Sequence, residues 1–247
     1  MSRKEYIRIV NARMGYKKPG HTVDILHRVN LSFYAGDLVG IVGLNGVGKS
    51  TLLRSICGLL PLLEGEVVIE GREIRELSIE DLARKIAVVL TEKIGGFNLT
   101  LFDVVAAGQI PYTDSFHRLT NENRSIINSA IDRCGIKSFT EKPVTELSDG
   151  LFQKTMIAKA LAQQTPILLF DEPSAFLDYA SKHDLFSLLQ ELTHKEGKCV
   201  VVSSHELEIL LKYCTKLLVI SPNGVELISR EEARQNAAFI QLTGGFL

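Results

Sequence analysis

The chain has 247 residues, a formal net charge of −1 and 45% hydrophobic residues. That is enough to bury the core of one large α/β domain, or of one domain with an insertion. The near-neutral balance argues against a dedicated nucleic-acid binder, which would carry a basic patch or stripe.

The four cysteines, Cys57, Cys134, Cys199 and Cys214, show no C-x-x-C spacing and have mostly apolar neighbours. They read as buried reduced thiols rather than as a metal site. The opening "MSRKEYIRIV" lacks the apolar core and small-residue cleavage site of a signal peptide. The apolar runs "PILLF", "KCVVVSS" and "KLLVIS" are too short to span a bilayer. A protein of this kind serving a membrane process is expected to dock onto other subunits.

In chain order, "EYIRIVNARMGY" and "DILHRVNLSFYAGD" read as strands ending at Gly or Asp turns. "DLVGIVG" is a short β-rich run, and the helical stretch "KSTLLRSICGLL" follows it closely. "GEVVIEGREI" is a further strand with a Gly turn. From about residue 94 the chain becomes more polar and takes helical spacing, in "LTLFDVVAAGQ" and "ENRSIINSAIDRCGI". A helical insertion is expected there. The remainder alternates helix "LFQKTMIAKALAQQ", strand "PILLFDEP", helix "SKHDLFSLLQELTHKEG", strand "KCVVVSSH", helix "ELEILLKYC" and strand "KLLVIS". That alternation predicts a mainly parallel sheet with helices on both faces. The Asn-Gly turn in "SPNGVEL" predicts a closing hairpin.

"GLNGVGKST", Gly43 to Thr51, matches G-x-x-x-x-G-K-[ST] in full, with Asn45 inside the run. Gly43, Gly46 and Gly48 let the backbone curl so that successive N–H groups point at phosphate oxygens. Lys49 brings a positive charge to the β- and γ-phosphates, and Ser50 offers a hydroxyl to Mg²⁺. The helix that follows aims its N-terminus at the same anion.

In "ILLFDEPSAFLD" an apolar strand delivers Asp171 to the carboxyl end of the sheet, where open α/β folds bind ligands. Asp171 is the candidate Mg²⁺ ligand and Glu172 the candidate base for an attacking water. His205 ends "CVVVSSH" and is expected at the same edge, within reach of the γ-phosphate.

These pieces in this order resemble the ATP-binding cassette (ABC) family of ATPases. The elements that carry the likeness are "GLNGVGKST", "LSDGL", "ILLFDEP", "SAFLD" and "SSHELE". The resemblance implies an α/β P-loop NTPase fold. It would have a mainly parallel core sheet, an N-terminal antiparallel β subdomain and a helical subdomain inserted at about 94–150 of a single 1–247 domain. It implies ATP and Mg²⁺ as ligands. It also implies that Tyr16 stacks on adenine and that Asp178 links two nucleotide sites across a dimer. Ser148 and Gly150 would reach the nucleotide of the partner chain. Family members work as paired cassettes that move membrane subunits, so a homodimer, integral-membrane permease subunits and, indirectly, a solute-binding protein are the implied partners, with no nucleic acid. The implied location is the cytoplasmic side of the inner membrane. "LTLFDVVAAGQIPYT" is similar to the region after the glutamine loop in iron-siderophore, haem and cobalamin importer ATPases, which suggests an iron chelate or related metal complex as cargo.

Two departures leave alternatives open. Where the family carries a metal-contacting glutamine, this chain has Thr91, followed by Glu92. In "TELSDGLFQK", Asp149, Leu151 and Phe152 differ from the usual signature. A regulatory cassette that binds ATP and turns it over poorly is therefore one alternative. A soluble cassette of cofactor assembly is another.

Overall fold

The computed structural model describes residues 3–90, 99–114, 116 and 118–244. The chain opens with two long strands, β1 (Glu5–Lys18) and β2 (His21–Tyr34), followed by β3 (Leu38–Val42) and helix α1 (Lys49–Ile56). Then come β4 (Glu64–Ile69), β5 (Arg72–Glu73), α2 (Ile79–Ala83) and β6 (Ile86–Val89). The helical stretch contains α3 (Leu101–Ala106), a 3-10 segment over Ala107–Tyr112 and α4 (Asn121–Arg133). The last part runs α5 (Asp149–Ala162), β7 (Ile167–Phe170), α6 (Tyr179–Glu196), β8 (Cys199–Ser203), α7 (Leu207–Tyr213), β9 (Lys216–Ser221), β10 (Gly224–Ser229) and α8 (Ala237–Thr243).

Two sheets form. The first is antiparallel, in the order β2-β1-β4-β5. The second has the order β10-β9-β3-β8-β7-β6, parallel throughout except for β10, which closes the Asn-Gly hairpin against β9. The parallel strands read as unbroken apolar runs because both faces are covered. Alternate residues of β3, β7 and β8 enter different cores. Val39, Ile41, Leu169 and Val201 pack with the antiparallel sheet and α1. Leu38, Phe170, Val200 and Val202 pack with α6, α7 and Phe239 of α8. A third, smaller core belongs to the helical stretch and joins Leu101, Val105, Ile127 and Ile131 to Ala158 and Ala162 of α5.

Helix starts follow their caps. Thr100 and Thr120 each form a capping box, with Asp103 and Asn123, at the heads of α3 and α4, which satisfies otherwise orphaned N–H groups. Ser148 caps α5 by accepting from Leu151 N. Helix α5 therefore begins at Asp149, two residues before the sequence pattern places it. Helix α8, capped by Asn236, is absent from the sequence reading. Among the described residues no helix is long and apolar enough to cross a membrane.

Candidate nucleotide site

Strand β3 ends at Val42, and the chain turns through Gly43–Gly48 into α1. Gly48 is the N-cap, with φ +117°, where a side chain is strained; a Cβ there would also stand 2.7 Å from Ile25 Cγ2. No side chain caps α1, so no side-chain acceptor competes at its N-cap with an anion for the first-turn N–H groups. Lys49 is buried; its Nζ donates to Gly43 O (3.0 Å) and lies 4.0 Å from Glu172 Oε1.

The acidic pair arrives from β7. Asp171 N donates to Val89 O of β6 at 2.8 Å, continuing the ladder one residue past the strand. Asp171 is buried and its Oδ1 accepts from Ser203 Oγ at 2.8 Å. Glu172 departs from strand geometry with φ +53°, a conformation that costs a non-glycine residue about 1–3 kcal/mol. Its Oε1 lies 3.0 Å from His205 Nε2 but accepts no aligned hydrogen bond among the described residues. Burial pushes the Glu172 carboxyl above the usual carboxylate range, assisted by Asp171 and opposed by His205 and Lys49. A poised base needs this direction of shift.

The strand order explains the convergence. β8 lies between β3 and β7, with Ile41 paired to Ser203 and Phe170 to Val202. The phosphate loop, the acidic pair and His205 thus leave adjacent carboxyl ends. They enclose a cleft of about 420 Å³ whose lining includes Tyr16, Asn45, Lys49, Asp171, Glu172 and His205. Gly46, Gly48, Ser50 and Thr51 line it as well. Two other clefts of about 410 and 400 Å³ lie between the helical stretch and α6 and hold no such combination of groups. Ser50 and Asp171 present oxygen donors, the set that suits a hard divalent cation. Tyr16 OH and Thr51 Oγ1 share a hydrogen bond of 3.2 Å, tying β1 to the first turn of α1.

The other expected residues lie elsewhere. Ser148, Gly150 and Asp178 are not in the lining of this cleft. Asp178 caps α6, and the N–H of Ser181 on its carboxylate holds that carboxyl below its usual range. Leu151 packs on the helical core and Phe152 on the larger core beneath α6. Thr91 and Glu92 lie outside the described residues. Two participants were missed by the sequence reading. Ile25 lines the cleft; Ser203, which bonds to Asp171, stands in "SSHELE" as a polar residue closing an apolar run, with nothing in the sequence to pair it with Asp171.

A phosphate loop on a parallel sheet, facing an acidic strand end, defines a P-loop nucleoside triphosphatase. The chain belongs to the ABC transporter family, whose profile matches residues 26–175, and it is an ABC ATPase. It is 40% identical over 215 residues to an uncharacterised ABC transporter ATP-binding protein of Methanocaldococcus jannaschii, covering 87% of this chain and 73% of the relative. It is 37% identical over 201 residues to the cobalamin import ATP-binding protein BtuD of Halobacterium salinarum; that match covers 81% of this chain and half of the longer relative. It is 31% identical over 201 residues to the iron(3+)-hydroxamate import ATP-binding protein FhuC of Bacillus subtilis, with coverage of 81% and 75%. Among solved structures, a dimeric ATP-binding cassette in a post-hydrolysis state with ADP and Pi matches at TM-score 0.81 and 27% identity, over 91% of this chain and 98% of that one.

Proposed function

We propose that this ABC ATPase powers an importer of metal chelates, with iron-siderophore complexes as the leading cargo class. The similarity to the cobalamin and iron-hydroxamate import proteins supports this cargo class. In this reading two copies pair and dock on integral-membrane permease subunits at the cytoplasmic face of the membrane, and a solute-binding protein delivers the cargo from the other side.

Gly43 to Thr51, including Asn45, Gly46, Gly48 and Ser50, hold the phosphates, and Tyr16 stacks on adenine. Ser50 and Asp171 would hold Mg²⁺, with Thr91 as a further contact; the ion, when bound, neutralises phosphate charge. Glu172 takes the proton of the attacking water. His205 and Lys49 bear on the γ-phosphate, and the charge they supply in a secluded cleft favours transfer. Ser148 and Gly150 approach the nucleotide held by the partner copy, and Asp178 connects the two sites.

The observation that carries the hydrolytic part is the meeting of Lys49, Asp171, Glu172 and His205 at one cleft. Glu172→Gln in the assembled complex is expected to lose at least about a hundredfold in ATP turnover while retaining nucleotide binding. Unchanged turnover would remove Glu172 as the base. For the cargo, vesicles holding the complex are tested for ATP-driven uptake of a ferric hydroxamate and of cobalamin. Uptake of neither would sink the chelate assignment.

A further inference from the structure

Ser203 opens the "SSHELE" run two residues before His205, and its hydroxyl meets both members of the acidic pair. It is the last residue of β8 and is fully buried. Its Oγ donates to Asp171 Oδ1 at 2.8 Å and accepts the backbone N–H of Glu172 at 2.9 Å. A hydroxyl has one proton and two lone pairs. An ionised carboxylate only accepts and an N–H only donates, so the direction of both bonds is fixed. The bond to Asp171 is buried and that from Glu172 is part-buried, and a hydrogen bond in such low-dielectric surroundings is stronger than in water.

Each bond has a separate consequence. The bond to Oδ1 restricts rotation of the Asp171 carboxylate. The bond from Glu172 N–H anchors that residue at its left-handed φ of +53°. This turn brings the Glu172 side chain to His205 and Lys49. A residue of β8 thereby sets the orientation of two groups delivered by β7.

We propose that Ser203 is a positioning residue for ATP hydrolysis, orienting Asp171 and Glu172 together through one hydroxyl without touching the nucleotide. The proposal rests on the reading of Asp171 as the Mg²⁺ ligand and Glu172 as the base. A serine that merely satisfies buried polar groups would affect stability and nothing else.

The test compares Ser203→Ala, Ser203→Thr and Glu172→Gln in the full chain, alone and co-purified with its membrane subunits. In the complex, Ser203→Ala is expected to lower kcat ten- to a hundredfold with KM for ATP within threefold of the parent. Ser203→Thr, which keeps the hydroxyl, is expected to hold kcat within threefold. With the chain alone, calorimetry measures the affinity for adenylyl imidodiphosphate with Mg²⁺ and with EDTA. The ratio of the two affinities is expected to fall at least fivefold in Ser203→Ala while the EDTA affinity stays constant. A parental ratio and kcat in Ser203→Ala, whatever its melting temperature, overturn the proposal. So does an equal loss in the alanine and threonine variants, each shown folded by circular dichroism. Normal turnover in Glu172→Gln is a separate failure, that of the underlying catalytic reading.

Discussion

Gly150, in the first turn of α5, lies against the carbonyl of Phe176, two residues before the cap of α6. A Cβ on Gly150 would stand 2.8 Å from that oxygen, closer than real contacts allow. The absence of a side chain at Gly150 thus has an origin inside the chain itself, since it seats the head of α5 on the Phe176–Asp178 turn. Gly150→Ala is expected to displace that turn, cutting turnover at least about tenfold with ATP affinity preserved. Light scattering on Gly150→Ala combined with Glu172→Gln is expected to give no ATP-dependent dimer, whereas Glu172→Gln alone gives one.

Glu172 places activity against stability. Its carboxyl is shifted upward, chiefly by burial, so the folded state disfavours the charged form. The resulting penalty is absent below the unfolded carboxyl pKa of about 4.3 and fully present above the raised folded value. Glu172→Gln is therefore expected to melt higher than the parent at pH 7–8, by about 2–4 °C per kcal/mol relieved. The difference should close as pH approaches 4. Calorimetric melts across that range check it, and a variant that melts lower at neutral pH contradicts the sign.

Leu151 departs from the family signature because it serves the small helical core, packing beside residues such as Leu101 and Ile127. Leu151→Gln, which makes this position polar, is expected to cost about 1 kcal/mol of stability. Nucleotide affinity should stay within twofold. Urea unfolding and calorimetric titration read the two effects separately.

Asp37 stands just before β3, at the end of that strand opposite the phosphate loop. It is buried, accepts from Tyr34 N and Lys216 Nζ at 2.9 Å each, and pairs with Arg3. Asp37→Ala leaves two cations without their shared acceptor. A cost of about 2–3 kcal/mol is expected, at the low end for a broken buried pair because Arg3 and Lys216 reach solvent. Denaturant titration measures it, and kcat per folded molecule is expected to be unchanged.

Much of the cleft was legible in the sequence because its parts obey local rules. Gly48 must be glycine for a φ of +117°, and the apolar run before Asp171 could only deliver a carboxylate to a strand end. The hairpin at Asn223-Gly224 was readable for the same reason. Ser203 was not. Its role depends on β8 lying beside β7, and strand order is a property of the folded sheet. Asp37 was hidden similarly, since Lys216 is far away along the chain. The structural role of Leu151 needed the partners supplied by α3 and α4. Glu172's positive φ has no local signature, because its anchor is a hydroxyl on another strand.

The separate core of the helical stretch has a consequence for how such a chain can diverge. Residues such as Val105, Ile127 and Ile131 contact their own small cluster, while the cleft rests on β3, β7 and β8 and the two larger cores. Substitutions between distant, independent sites combine almost additively. Away from Val104, Cys134 and Leu161, which also pack on the larger core, and from the head of α5, the helical stretch can therefore accumulate changes in sequence and surface while the hydrolytic centre stays constant. Descendants of one ancestral cassette can acquire new attachments without relearning their chemistry.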